Sequence, residues 1–213
     1  MGNSKSIAVI LEYPSVTQIV SSIKINQKSY EGKKGVIGII GAGNFTGSTL
    51  MPNLKKVKAD VKYIASSGGL SSTIMAKKYG ITNSTTNYLE ILADEIVDLV
   101  LITTQHNTHA KMVVEIANAG KSVFVEKPLA LSEEELSEVI ESFQKNNINI
   151  SVGFNRRFAP LAIQMKKALG NDNTPVNIIA TMNAGFIPKD VWVHDMQAGG
   201  GRIIGEACHH IDL

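Results

Sequence analysis

Cysteine is nearly absent from this chain of 213 residues: Cys208 stands alone, so no disulfide can form within it, and its setting reads as reduced and cytoplasmic. An excess of charge of either sign is missing too. Lys and Arg number 21 against 19 Asp and Glu, a formal net charge of +2, whereas a polyanion binder needs a concentrated basic face. The sequence also lacks a basic stripe interleaved with aromatics, which disfavours a nucleic-acid partner. No apolar run approaches the roughly 20 residues that span a bilayer. The early apolar stretch Ser6–Leu11 is cut off by Glu12 and Tyr13, too soon for a signal peptide. Repeats and low-complexity blocks are missing. With 44% hydrophobic and 19% charged residues the composition argues against disorder. At roughly 150 residues per domain the length suggests one large domain, or one and a fraction.

What is present is an alternation of strands and helices. Ser6–Leu11 reads as a lone strand stopped by Pro14, residues 15–34 as a polar mixed stretch, and Glu31–Gly35 as a linker. Short apolar runs follow at Val36–Ile40, Val61–Ala65, Val97–Ile102, Ser122–Val125 and Ile148–Gly153, as expected of strands buried on both faces. Between them lie helical patterns: Phe45–Val57 with a kink expected at Pro52, Leu70–Tyr79 stopped by Gly80, a short turn at Asn87–Leu92, and a helix through Ala110, Val113, Val114 and Ala117 ended by Gly120. Ser132 and Glu135 form a capping box ahead of Leu136, Val139, Ile140 and Phe143. The fold class expected is α/β: a doubly wound, Rossmann-type parallel sheet over residues 35–154, with an N-terminal extension at 1–34. A helix at Pro160–Leu169 and a strand at Val176–Ala184 then open a second α/β domain, truncated at 155–213. A strand, a long loop and half a helix cannot bury a core alone, so the chain is expected to be a fragment or to be completed by a partner.

Gly41-Ala42-Gly43-Asn44-Phe45-Thr46-Gly47 follows a buried strand and opens a helix. Gly41 allows a tight turn, Gly43 lets a pyrophosphate approach the backbone, and the helix start offers free N–H groups with a positive dipole end. Thr46 stands where a third glycine or alanine is usual. Strand, turn and helix fall in the order required for dinucleotide binding. The second strand ends in Ala65-Ser66-Ser67-Gly68 instead of an acid, so NAD and NADP both stay open.

Four further segments stand beside this turn: Lys121-Ser122-Val123-Phe124-Val125-Glu126-Lys127-Pro128, Gly153-Phe154-Asn155-Arg156-Arg157-Phe158, Gly199-Gly200-Gly201-Arg202 and His209-His210-Ile211-Asp212. Together, over Gly35–Leu213, they resemble the glucose-fructose oxidoreductase / inositol dehydrogenase / rhizopine-catabolism (Gfo/Idh/MocA) family. Ala8–Pro14 is similar to the exit from the zinc-type alcohol dehydrogenase half of two-domain relatives. The resemblance implies a Rossmann domain and a substrate domain that carries the oligomer interface. It further implies hydride transfer between nicotinamide and a sugar or polyol carbon, and a homo-oligomer in the intact protein. It puts Thr103, Thr104, His106 and Arg156 near the cofactor, together with Gly41, Gly43, Asn44, Phe45, Thr46, Ser66 and Glu126. It makes His209 the acid/base histidine. The family aspartate four residues before that histidine is here Gly205.

Chemistry adds its own expectations. Lys127, at the carboxyl end of a strand, can hold a hydroxyl and stabilise alkoxide character, with Glu126 neutralising or orienting it. Glu206, three residues before His209, is expected to take over the orienting role of the missing aspartate. A cis Lys127–Pro128 bond is open. His106 and His109 could face solvent beside a helix capped by Asn107 or Thr108, or hold a metal, but no third and fourth ligand suggests itself, and no metal is expected. Cys208 reads as a small packed residue in preference to a thiolate, and Arg157 as a surface or interdomain partner. Trp192 can stack on a sugar or cover the domain junction. The second function considered is a cofactor-binding module without turnover, to which Gly205 and the incomplete second domain point.

Overall fold

The computed structural model describes residues 10, 20–31, 34–170, 175–183 and 185–213. Among the described residues seven strands form one sheet: β1 Ser22–Lys24, β2 Ile37–Ile40, β3 Val61–Ala65, β4 Asn83–Thr85, β5 Leu99–Ile102, β6 Ser122–Val125 and β7 Ile150–Val152. Their spatial order is β1-β4-β3-β2-β5-β6-β7. Six run parallel and β1 pairs antiparallel with β4 at the edge. Winding reverses between β2 and β5, the place where an open α/β sheet leaves a ligand crevice beyond its carboxyl edge. Register fixes what lines that edge. Ala65, Ile40, Ile102, Val125 and Val152 pair in one row across β3, β2, β5, β6 and β7. The residues just past them, Ser66, Gly41, Thr103, Glu126 and Gly153, therefore emerge side by side.

Helices cover both faces, as the apolar strands require: α1 Met51–Lys56, α2 Leu70–Tyr79, α3 Leu89–Ala93, α4 His109–Asn118 and α5 Glu133–Asn146, followed by α6 Pro160–Leu169 and α7 Cys208–Ile211 beyond the sheet. One core layer centres on Val36, Val100, Ile102, Val113, Ile116 and Val123, the other on Ile37, Ile39, Ile64, Ala76 and Ile81. Each fully buried Ile or Val stabilises by about 1.5–3 kcal/mol relative to exposure. The kink expected at Pro52 takes the form of a π-helical turn, Thr46–Leu50, running straight into α1. Pro52 has no N–H to give and its ring crowds the carbonyl four residues back, and the wider turn relieves both. Gly80 ends α2 in the left-handed conformation. In the capping box of α5, Ser132 accepts from the Glu135 N–H at 3.2 Å and the Glu135 carboxylate accepts from the Leu131 N–H at 2.7 Å.

One expectation needs correction, and two strands had no forewarning. Within the polar stretch read at 15–34, β1 extends the sheet, and Tyr30, 4% exposed, donates to the Val61 carbonyl at 3.2 Å. The strand β4 has no apolar side chain to announce it. It is held by a hydroxyl ladder in which Ser84 contacts Ser72 and Thr73, each at 3.0 Å. The strand expected at Val176–Ala184 does not form over the described residues 176–183, where the backbone pairs with no neighbour and Ile178 and Ile179 are exposed. A strand needs a paired neighbour, and among the described residues no strand pairs with this segment. Ala184 and, apart from Ile10, the stretch Ser6–Leu11 lie outside the described residues.

Candidate active site

The glycine turn leaves β2 with Gly41 at φ +113°, donating to the Ala65 carbonyl at 2.9 Å. A side chain there would come within 2.5 Å of Thr103 Oγ1 and 2.8 Å of the Thr103 backbone. Gly41 is thus demanded by the fold, which brings the ends of β2 and β5 together. At Gly43 the opposite holds: an added Cβ would meet nothing within 4 Å. None of the described residues fills the space above Gly43, and Gly43 and Asn44 are exposed beside the helix start. Thr46 is fully buried, its hydroxyl 2.9 Å from the Gly41 carbonyl and 2.7 Å from Thr103 Oγ1. Its side chain, like that of Thr103, braces the turn from within. Phe45 is half-buried beside it. A groove of about 480 Å³ runs from Gly43, Asn44 and Ser48 to Ser71 and Lys78 on α2.

At the end of β3, Ser66 bonds the Ser72 hydroxyl at 2.9 Å and accepts from the Ser72 N–H at 3.3 Å, which ties down the start of α2. Ser67 and Gly68 beyond it are exposed. Thr104 Oγ1 lies 2.6 Å from Thr108 Oγ1.

Glu126 and Lys127 leave β6 in the same row, and the Lys127–Pro128 bond is cis. The Glu126 carboxyl lies over Gly153, where a side chain would meet it at 2.8 Å, and burial raises its pKa above the usual range. Glu126 does not form the ion pair expected with Lys127. Among the described residues the carboxylate within 4 Å of the Lys127 ammonium is Glu206, at 3.8 Å, and the ammonium donates to the Gly205 carbonyl at 2.5 Å.

These partners come from the second region. The run Gly199–Gly201 carries it back over the sheet edge: Gly199 packs on Trp192 and Val193, and Gly200 and Gly201 have φ +72° and +75°. A π turn, Ile203–Ala207, then places Gly205 and Glu206 beside Lys127. Glu206 also faces Arg156 at 4.0 Å. It makes no hydrogen bond to His209, whose buried Nδ1 has no partner among the described residues. The expectation that Glu206 orients His209 is therefore replaced. The π turn rotates the carboxylate toward Lys127 and Arg156, whereas the i, i+3 argument assumed a regular α-helix. His209 is 5% exposed with its ring centroid 6.3 Å from that of Phe154 in a T-shaped contact, and burial, Lys127 and Arg156 lower its pKa. Burial raises the Cys208 thiol pKa, as suits a packed residue. Arg157 makes a bidentate pair with Asp212.

Both loop histidines are buried, not solvent-facing. His109, fully buried, has Nδ1 2.8 Å from the Pro128 carbonyl and braces the Lys127 turn. Its place on the apolar face of α4, one residue before Ala110, was the available signal. His106 has Nδ1 2.8 Å from the Gly199 carbonyl and its ring 4.7 Å from Trp192 in a T-shaped contact. Trp192 thus seals the junction against His106. Among the described residues no group of three or more His, Cys, Asp or Glu could hold a metal. Among them, too, no helix is long and apolar enough to cross a membrane.

Comparison with known proteins bears on this geometry. A family model described as an oxidoreductase family with an NAD-binding Rossmann fold, GFO_IDH_MocA, matches residues 36–154. Myo-inositol 2-dehydrogenase of Thermotoga maritima is 34% identical over 190 residues, covering 82% of this chain and 56% of that protein. The scyllo-inositol 2-dehydrogenase (NAD(+)) of Bacillus subtilis is 32% identical over 142 residues, 65% of this chain and 40% of that protein. Among solved structures, the WlbA dehydrogenase of Chromobacterium violaceum, in complex with NADH and UDP-GlcNAcA, superposes with a TM-score of 0.72 at 20% identity, covering 92% of this chain and 56% of that one. That last likeness speaks for the fold alone. The chain spans about half the length of the curated relatives it matches, 52%, 58% and 56% of three of them.

Proposed function

The chain belongs to the Gfo/Idh/MocA oxidoreductase family with its NAD-binding Rossmann fold, and from that premise we propose that it is the cofactor-binding part of a dehydrogenase acting on a sugar or polyol hydroxyl. The observation that carries this reading is the single row at the carboxyl edge of the sheet. From that row leave the glycine turn of β2, open at Gly43, and the β6 turn that carries Lys127, with Gly205 and Glu206 clasping Lys127 from the second region.

NAD or NADP fits the turn: the room over Gly43 is the space a backbone-bound pyrophosphate needs, and the helix start supplies N–H donors. Gly43 and Asn44 would hold the diphosphate, Ser67 the adenosine ribose, and Thr104, His106 and Arg156 the nicotinamide side. Gly41, Thr46, Ser66 and Thr103 shape those contacts from beneath. Bound there, the nicotinamide supplies a two-electron acceptor. The Lys127 ammonium orients the substrate hydroxyl and stabilises negative charge on its oxygen as the proton leaves. Glu206 and the Gly205 carbonyl fix where that ammonium points. Trp192 and the triple glycine close the crevice against water.

The same reading includes self-association in the full-length protein, supported by exposed apolar side chains at Leu161, Ile163, Ile178, Ile179 and Phe186. Of the two grounds for a module without turnover, Gly205 and the incomplete second domain, the first has a steric account in the packing of that glycine against His106. The test is dinucleotide titration of the full-length protein followed by an absorbance screen of sugars and polyols for NAD(P)H formation. Binding with turnover of at least one polyol is expected, and neither binding nor turnover would end the reading.

A further inference from the structure

At the carboxyl end of β3 the hydroxyl protons have fixed directions. Ser72, fully buried in the first turn of α2, lies 3.0 Å from the Gly69 carbonyl, 2.9 Å from the Ser66 hydroxyl and 3.0 Å from the Ser84 hydroxyl. A carbonyl oxygen only accepts, so the one Ser72 proton goes to Gly69. A hydroxyl has one proton and two lone pairs. Ser66 and Ser84 must therefore each donate to Ser72, and every bonding site of that hydroxyl is filled. Thr73, 3.0 Å from Ser84, donates in turn, since the Ser84 proton is already committed.

The consequence falls on Ser66. Its proton is held by Ser72, and one of its lone pairs takes the Ser72 N–H at 3.3 Å. One lone pair remains, an acceptor with nothing to donate. Ser66 is half-buried and opens a turn closed by the Gly69 N–H, which donates to its carbonyl at 3.1 Å. It stands beside the glycine turn, because the Gly41 N–H donates to the carbonyl of the preceding Ala65 at 2.9 Å. In dinucleotide-binding sheets the residue at that strand end meets the adenosine ribose. A ribose 2′-hydroxyl can donate to such an oxygen. A 2′-phosphate, with a second pKa of about 6, brings only acceptor oxygens at neutral pH and would set its charge against a lone pair.

We propose that Ser72, buried behind Ser66, sets the choice between NAD and NADP in favour of NAD by holding the Ser66 proton away from the ribose. The proposal rests on the dinucleotide site of the dehydrogenase reading and deepens it. Ser67 is exposed, and its hydroxyl can turn to donate or to accept, so it serves either cofactor. Discrimination then falls to Ser66. Ser72 is a positioning residue: it acts through the polarity of a neighbouring hydroxyl, and it does so at a strand end that carries no carboxylate.

The test is calorimetric titration of the full-length protein with NADH and with NADPH. Wild type should bind NADH about tenfold more tightly, the worth of one hydrogen bond gained by one ligand and denied to the other. Ser72→Ala releases the Ser66 proton for a 2′-phosphate, so NADPH affinity should rise at least about fivefold while NADH affinity stays within about twofold. Ser84→Ala removes a hydroxyl from the same ladder but leaves Ser66 bonded to Ser72, and its NADH to NADPH ratio should stay within about twofold of wild type. Ser66→Ala removes the acceptor and should weaken NADH while leaving NADPH unchanged, which keeps the test open if Ser72→Ala does not fold. A wild type that prefers NADPH, an unmoved ratio in Ser72→Ala, or a ratio moved equally by Ser84→Ala overturns this proposal alone. So does a parallel loss of both dinucleotides, the mark of a loosened turn. A wild type that binds neither dinucleotide overturns it together with the dehydrogenase reading.

Discussion

Lys127 and Gly205 lie 78 residues apart in the chain and are joined by a 2.5 Å hydrogen bond from ammonium to carbonyl. The bond ties the carboxyl end of β6 to the region beyond the sheet. Replacing Lys127 with Met keeps the stem and removes the charge. We expect kcat/KM for polyol oxidation to fall about 10²–10³-fold, the range seen when one donor to a developing oxyanion is lost. The dinucleotide Kd should barely move. A variant with near-normal kcat/KM in steady-state assays would remove Lys127 from the chemistry.

Gly41 and Gly43 look equivalent in sequence and are opposites in the fold. Gly41→Ala meets Thr103 at 2.5–2.8 Å with φ at +113°, and strain of that kind costs about 1–3 kcal/mol before the clash is counted. Gly43→Ala meets nothing. Urea titration should therefore show Gly41→Ala destabilised by at least about 2 kcal/mol and Gly43→Ala within about 0.5 kcal/mol of wild type. Dinucleotide titration should show Gly43→Ala binding about tenfold more weakly or worse, a loss of about 1.4 kcal/mol. Equal stability losses would contradict the division of labour.

Cofactor choice depends on the acid-free end of β3. Ser67 is exposed, and Ser66 is spent on α2. Ser67→Asp would place a carboxylate where a 2′-phosphate must lie and supply a partner for a free 2′-hydroxyl. Relative affinity should swing toward NAD by about tenfold or more, a modest charge–charge term of about 1.4 kcal/mol. Unchanged NADP affinity would place the ribose elsewhere.

Stability should depend on pH through the buried imidazoles. Burial lowers the pKa of His106, His109 and His209. Between their folded values and the unfolded value near about 6.5, the unfolded chain binds more protons. Their contribution is therefore complete above about pH 6.5 and is lost as pH falls below it. Glu126, raised by burial, works in the opposite direction as a single group. The melting temperature should drop between pH 7 and pH 5, less so in His109→Asn measured against its own value at pH 7. A flat profile would mean that the imidazoles are already paired with acids.

The sequence by itself determined the parallel sheet, because runs such as Val97–Ile102 can be satisfied only with both faces covered, and it determined the glycine turn, because strand, glycines and helix are contiguous. It also placed Lys127 at a strand end. Only tertiary structure decided the rest. β4 is made of Asn83, Ser84 and Thr85, and the buried Ser84 hydroxyl has partners in α2, Ser72 and Thr73, that no local pattern shows. The strand expected at 176–184 needed an edge that local apolar spacing cannot supply. Above all, the partner of Lys127 turned from the adjacent Glu126 to Gly205 and Glu206, and His106 took its place against Gly205. Contacts spanning 78 and 93 residues follow from how one loop folds back over the sheet edge, and a linear pattern carries no record of that path.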